Sequence, residues 1–76
     1  MTEKDLANTF AENLERMLID RGMSQKDLAQ ASHLTQASIS RYLSRKRTIS
    51  MPALVNICVA LKCRPKDLLP FDGYID

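Results

Sequence analysis

Apolar side chains near the start of the chain recur every four residues, as they do on one face of an α-helix: Leu6, Phe10, Leu14 and Leu18. Two capping patterns, Thr2-x-x-Asp5 and Thr9-x-x-Glu12, both place a hydroxyl before a helix and an acid three residues later. Either pattern could begin this helix. Gly22 favours the left-handed backbone that ends a helix, so the first helix is predicted to end near residue 21.

Two shorter helical patterns follow, with a tight turn between them. Ser24-x-x-Asp27 caps the second helix, which is predicted to continue to about residue 31, with the turn at residues 32–34. Thr35 then caps a third helix, whose spacing directs Ile39, Tyr42 and Leu43 inward. Four residues are left on the outer face of this helix: Gln36, Ala37, Ser40 and Arg41.

The remaining pattern predicts a loop and two more helices. Residues 45–49 read as a loop, Ser50 as a cap, and Pro52 falls in the first turn, where a missing amide proton costs little. The fourth helix ends at Lys62, and its predicted buried stripe consists of Leu54, Ile57, Cys58 and Leu61. Pro65 begins a short fifth helix that carries Leu68 and Leu69 and stops at Pro70. There is no strand pattern, so we predict an all-α, five-helix fold.

A chain of 76 residues has room for one hydrophobic core. We therefore expect residues 1–76 to form a single domain, with residues 70–76 as an apolar tail or the start of a linker.

Charge is distributed unevenly, although the formal net charge is only +2. Residues 28–66 contain no acid, and they hold seven basic residues: Arg41, Arg45, Lys46, Arg47, Lys62, Arg64 and Lys66. Such a cationic face suits a polyanion bound in one orientation. The charge distribution by itself is equally compatible with a solvated basic face that binds no partner.

The two cysteines, Cys58 and Cys63, lie in an apolar helical segment, and no secretory signal or long apolar run accompanies them. We expect reduced thiols packed in the core of a cytoplasmic protein. A Cys-x4-Cys pair with the distant His33 does not match a zinc site. Nor is there a glycine-rich phosphate loop or a nucleophile spaced to pair with that histidine, so no catalytic site, metal or cofactor is expected.

Three segments, GMSQKDLA (residues 22–29), ISRYLSRKR (39–47) and LKCRPKDLL (61–69), resemble the lambda-repressor-like (Cro/CI-type, XRE) helix-turn-helix family in order and spacing. The resemblance covers roughly residues 10–69. It implies a compact five-helix domain in which helices 2 and 3 form the helix-turn-helix. It further implies a sequence-specific transcription regulator, most often a repressor, that inserts the third helix into the DNA major groove and binds operator half-sites as a dimer.

The resemblance also implies which side chains meet the bases. Gln36 would pair with adenine, its alternative being a capping or solvent-facing role. Ala37 would touch a thymine methyl group or simply avoid the groove wall. Ser40 shares this face, and Arg41 would bind guanine or, alternatively, a phosphate.

Contacts with the DNA backbone are implied for the residues around these two helices. Ser24 and Gln25 open helix 2, where free amides favour a phosphate, although capping explains Ser24 equally well. Arg45, Lys46 and Arg47 follow helix 3 and would clamp the backbone, unless their tips are only solvated.

The sequence departs from the family at His33, Arg45 and Lys62, where glycine is common because the backbone is left-handed. These turns are expected to be slightly strained or reshaped. Leu18 and Leu43 stand where many members bury an arginine–glutamate pair, and an apolar pair avoids dehydrating either charge.

Other functions use the same domain: an antitoxin, a restriction-modification controller, or a protein-interaction module that has lost DNA binding. The basic residues after helix 3 oppose the last of these. Dimerisation is expected through apolar residues of helix 5 and the tail, which could instead cover the domain's own core: Leu68, Leu69, Phe71, Tyr74 and Ile75.

Overall fold

A computed structural model of the protein describes residues 2–70 and contains five α-helices in that range, with no strand among these residues. The helices are α1 (Glu3–Arg21), α2 (Gln25–Ser32), α3 (Gln36–Leu43), α4 (Met51–Leu61) and α5 (Pro65–Leu68). The predicted all-α, five-helix fold is confirmed, and α2 ends one residue later than expected.

α1 begins at a capping box formed by Thr2 and Asp5. The backbone amide of Asp5 donates to Thr2 Oγ1 at 3.2 Å, and the amide of Thr2 donates to Asp5 Oδ2 at 3.1 Å. Thr9 lies inside the helix. The earlier start lets Ala7 and the partly buried Leu6 contribute to the core together with Phe10.

Two helices, α2 and α4, end at a residue other than glycine whose backbone is left-handed, and a third such residue follows the end of α3. The φ angle is 59° at His33 and 54° at Lys62, and Arg45, in the loop after α3, has a φ of 65°. A side chain in this conformation costs on the order of 1 kcal/mol. The expected left-handed turns are therefore kept without glycine rather than reshaped, and a backbone hydrogen bond closes each of them.

The hydrophobic core lies where α1 packs against α3 and α5, while α2 packs against α3 and α4. Phe10 of α1 and Tyr42 of α3 meet edge to face, with ring centroids 6.1 Å apart and planes at 85°. Leu18 is buried in the same cluster, and Leu43 packs against it. Both positions, at which the family resemblance implies a charged pair in many members, are therefore occupied by apolar side chains that pack with the core.

Leu68 and Leu69 correct one expectation, because both side chains are fully buried in the domain's own core. The side-chain amide of Asn13 fixes this region by donating to the carbonyl oxygen of Leu68 at 2.8 Å. These leucines therefore cannot form the predicted dimer surface. The other members of that surface, Phe71, Tyr74 and Ile75, lie outside the described residues.

Both cysteines are free thiols at the end of α4, Cys58 buried and Cys63 half-buried. Burial raises the pKa of Cys58 to about 12, and the neighbouring Cys63 adds to the increase. Burial also raises the pKa of Cys63. At neutral pH the two groups are protonated and act as small packing residues.

Within residues 2–70, no three histidine, cysteine or acidic side chains come together in a metal-binding arrangement. None of the helices in that range has the length and apolar character required to cross a membrane.

Candidate nucleic-acid interface

The helix-turn-helix is held together by the inner faces of α2 and α3. Leu28 and Ala29 of α2 and Ile39 of α3 are buried in the common core. Thr35 begins α3, because its Oγ1 accepts a hydrogen bond from the amide of Ser38 at 3.0 Å. These contacts fix the direction in which α3 presents its outer face.

The outer face of α3 is exposed along its length and carries the four residues predicted to read bases: Gln36, Ala37, Ser40 and Arg41. Because Thr35 is the N-cap residue of α3, Gln36 is not required to cap the helix. The side chains of Gln36 and Arg41 form no hydrogen bond or ion pair within residues 2–70. The structure thus brings the four positions together on one open surface, and their contacts with bases stay a prediction.

The first turn of α2 is engaged in its own capping box. The amide of Asp27 donates to Ser24 Oγ at 3.0 Å, and the amide of Ser24 donates to Asp27 Oδ2 at 3.1 Å. The hydrogen bond from the Ser24 amide lowers the pKa of Asp27. The Ser24 hydroxyl is thereby used as a cap, whereas Gln25 is exposed and its side-chain amide is unengaged within the described chain.

The three basic residues after α3 differ in their surroundings. Nη1 of Arg45 donates to the carbonyl oxygen of Leu43 at 3.1 Å, so its guanidinium folds back onto the end of α3. Arg45 also lines a surface depression of about 360 Å³ together with residues of α1: Glu12, Glu15, Arg16 and Ile19. Lys46 and Arg47 are exposed, and their side chains form no hydrogen bond or ion pair in the part of the chain described.

Lys4 joins this basic cluster, although its position in the sequence gave no indication of it. A second depression, of about 330 Å³, lies between the first turns of α1 and the loop after α3. Its lining contains four cations and a single acid, Glu3, the cations being Lys4, Arg45, Lys46 and Arg47. Sequence reasoning missed Lys4 because it stands among acids near the start of the chain, and only the packing of α1 on α3 brings it close.

A family model described as the Cro/C1-type HTH DNA-binding domain matches residues 13–73. The chain belongs to this family. The predicted resemblance is thereby confirmed, and in this Cro/C1-type protein α2 and α3 are the helix-turn-helix.

Two known proteins are similar to this Cro/C1-type chain. YozG of Bacillus subtilis (strain 168), an uncharacterised HTH-type transcriptional regulator, is 35% identical over 60 residues, which cover 78% of this chain and 71% of that protein. The crystal structure of the restriction-modification controller protein C.AhdI from Aeromonas hydrophila superposes with a TM-score of 0.78 at 26% identity, and the match covers 84% of this chain and 96% of that one. These likenesses support DNA-binding transcription regulation as the function.

Proposed function

We propose that this protein is a sequence-specific repressor that binds double-stranded operator DNA with α3 in the major groove. The observation that carries the proposal is the open outer face of α3, where Gln36 and Arg41 are exposed and have no partner within the described residues. The side chain of an α-helix can reach base edges only in the major groove, which is wide enough to admit the helix.

Each residue of this face has a distinct proposed role. The side-chain oxygen of Gln36 can accept from adenine N6 while its NH2 group donates to adenine N7, and the guanidinium of Arg41 can donate to both guanine O6 and guanine N7. Ala37 offers a methyl group to a thymine methyl, and Ser40 is short enough to let the helix approach the groove floor. Because the Arg41 guanidinium carries a full charge on a long side chain, a phosphate is its alternative partner.

The DNA backbone would be bound on both sides of α3. Lys46 and Arg47 are the principal clamps, since their exposed side chains are available, and Gln25 supplies a neutral contact at the start of α2. Arg45 would have to release the Leu43 carbonyl oxygen, or contact DNA with its remaining donors. Ser24 acts mainly by fixing the first turn of α2.

We extend the backbone-binding surface to Lys4. This lysine shares a depression with Lys46 and Arg47, so a phosphate bound beside one of them lies within the field of all three. One DNA strand would therefore pass along the groove between α1 and the loop after α3.

Repression follows from steric exclusion, because a protein bound over a promoter denies polymerase the same DNA. A homodimer on two half-sites fits this role, since helix-turn-helix dimers place their recognition helices one helical turn of DNA apart. The likeness to C.AhdI favours one second candidate, a controller of a restriction-modification operon. Either role takes place on DNA in the cytoplasm and requires no catalysis or cofactor.

The proposal is tested by selecting bound sequences from a pool of random duplexes with the purified protein. We expect a defined motif, repeated as an inverted pair whose half-site centres are about 10–10.5 base pairs apart or a multiple of that spacing. Recovery of random sequences at the same yield would overturn sequence-specific binding, and a motif without an inverted repeat would overturn the two-fold dimer.

A further inference from the structure

Cys58 and Cys63, which the DNA-binding surface does not use, are brought together by the turn that ends α4. Lys62 has a left-handed backbone, and its amide donates to the carbonyl oxygen of Val59 at 3.2 Å. The amide of Cys63 donates across the same turn to the carbonyl oxygen of Cys58 at 3.0 Å. These two hydrogen bonds form a Schellman motif, in which the side chains at the two cysteine positions commonly touch. The turn thus pairs the two cysteines of the chain.

The backbone hydrogen bond limits the distance between the two residues. With ordinary bond lengths on either side of the 3.0 Å N···O contact, the two Cα atoms are at most about 7 Å apart, and closer because these bonds do not lie in one line. Cα atoms joined by a disulfide are usually about 4.4–6.8 Å apart. Burial is the largest cause of the raised pKa of Cys58 and the charge of Cys63 is the next, so the two thiols are close enough to interact. The reduced chain therefore already holds the pair within disulfide range.

We propose that Cys58 and Cys63 form a reversible redox modification site, at which a small-molecule disulfide oxidises the two thiols to an intrachain disulfide. The new bond would close the left-handed turn at Lys62 covalently and tie the end of α4 to the segment that leads into α5. Disulfides of this kind in a reducing compartment are usually transient responses to an oxidant. The site lies outside the outer face of α3, and its chemistry does not depend on the operator binding proposed above.

The different burial of the two thiols assigns the order of the steps. Cys63 is half-buried, whereas Cys58 is only 6% exposed, so Cys63 reacts with the reagent first. The Cys63 thiol loses its proton to solvent, and its sulfur attacks one sulfur of the small disulfide and expels the other half, which takes up a proton. Cys58 then loses its proton and attacks the Cys63 sulfur of this mixed disulfide, expelling the second half as a thiol. Two electrons leave the protein sulfurs, and one small disulfide is reduced to two thiols.

The surroundings of the pair make this reaction slow at neutral pH. Burial raises the pKa of Cys63 most and the nearby Asp67 adds to the increase, whereas Cys58 and Arg21 oppose it. Since the thiolate is the attacking species, a raised pKa lowers the reactive fraction. The two residues therefore remain packed thiols until the small disulfide accumulates. The geometry of the turn favours the disulfide at equilibrium rather than its rapid formation.

The test measures the equilibrium between the reduced chain and its disulfide in mixtures of reduced and oxidised glutathione. The full chain is equilibrated once folded and once in concentrated urea, and intact mass spectrometry after acid quenching separates the reduced, mixed-disulfide and disulfide forms. We expect the effective concentration of the thiol pair to be about tenfold or more higher in the folded chain, because the turn holds the two residues together and urea releases them. An equal or smaller value in the folded chain would overturn the modification site.

Urea unfolding of the reduced and oxidised chains provides an independent check. By linkage, the factor by which folding favours the disulfide is also the factor by which the disulfide favours folding. The oxidised chain should therefore unfold at a higher urea concentration than the reduced chain. Unfolding of the oxidised chain at the same or a lower concentration would contradict a disulfide that fits the native turn.

Two single substitutions, Cys58→Ala and Cys63→Ala, test the order of the steps, with circular dichroism as the check on helix content. In oxidised glutathione, Cys58→Ala should accumulate the mixed disulfide at Cys63, whereas Cys63→Ala should remain largely reduced because its thiol is buried. Equal modification of both variants would contradict the assigned order. A wild-type chain that accumulates the mixed disulfide, or disulfide-linked pairs of chains, would overturn the intrachain bond, and that measurement needs neither variant.

Discussion

Arg41 and Arg45 both lie at or near α3, but their side chains differ in hydrogen bonding. Nη1 of Arg45 donates to the carbonyl oxygen of Leu43 at 3.1 Å, whereas the side chain of Arg41 is exposed and unengaged within residues 2–70. A group already hydrogen-bonded must give up that bond before it binds DNA, so its net contribution is smaller. We therefore assign Arg45 a lesser share of the affinity than Lys46 or Arg47.

Lys4 is predicted to bind the DNA backbone, although its position in the sequence does not indicate this role. Lys4→Ala should weaken binding to the selected site and to random DNA alike, since a phosphate contact does not depend on sequence. The slope of log K against log salt concentration should become less steep by about 0.9, the contribution of one phosphate. Fluorescence anisotropy titrations at several salt concentrations measure both quantities.

Arg64→Ala is the control for Lys4→Ala, because it removes one exposed cation beside α5, outside both depressions that the basic residues after α3 line. Its salt slope should equal that of the wild type. Equal slopes for all three proteins would remove Lys4 from the DNA-binding surface and leave the roles of Lys46 and Arg47 intact.

Among the helices, the capping residues account for most of the predictable structure. Ser24-x-x-Asp27 and Thr2-x-x-Asp5 form complete capping boxes, and the sequence pattern predicts both. The choice between Thr2 and Thr9 could not be made from the patterns, because both satisfy the same local rule. The structure has the capping box at Thr2, and the longer helix buries Ala7 against partners remote in sequence, which the local patterns do not reveal.

The capping box of α2 predicts a pH dependence of stability. The hydrogen bond from the Ser24 amide lowers the pKa of Asp27 below its ordinary value of 3.8. The ionised carboxylate is therefore more stable in the folded state than in the unfolded state. The resulting stability is present above pH 3.8 and is lost as the pH falls through the lower, folded-state pKa. Asp27→Asn should therefore be less stable than the wild type near neutral pH, with the difference shrinking in acid.

Urea unfolding of both proteins between about pH 6 and pH 2 measures this difference in the free energy of unfolding. Asp20→Asn serves as the control, because Asp20 accepts no hydrogen bond within the described chain. A difference between wild type and Asp27→Asn that stays constant with pH would contradict the assigned role of the carboxylate.

For the molecule as a whole, the sequence predicted the helices and the outer face of α3 but not which surfaces remain free. Leu68 and Leu69 were correctly recognised as residues that need covering, yet an apolar pattern does not reveal whether the cover is the same chain or a second copy. Their burial in the domain core answers that question. The exposed Val59 was overlooked because its helix already had a satisfactory buried stripe.

Charge segregation is the second property of the whole molecule that matters for DNA binding. The acid-free region runs from Leu28 in α2 to Lys66 in α5, and the fold divides it into a basic face near α3, the uncharged outer side of α4 and a second basic group around the start of α5: Lys62, Arg64 and Lys66. Packing of α1 also adds Lys4 to the basic face. The basic face near α3 is thus suited to a polyanion.

We propose that the outer face of α3 reads the base sequence while the residues beside it bind the DNA backbone, a division of roles that single substitutions can separate. It is tested most directly by the binding free energies of wild type, Gln36→Ala and Lys46→Ala on the selected DNA and on a scrambled duplex at one salt concentration. We predict that Gln36→Ala loses about 1–3 kcal/mol on the selected DNA and little on the scrambled one, whereas Lys46→Ala weakens both equally. If Gln36→Ala instead weakens both duplexes equally, or neither, α3 does not read the bases as described.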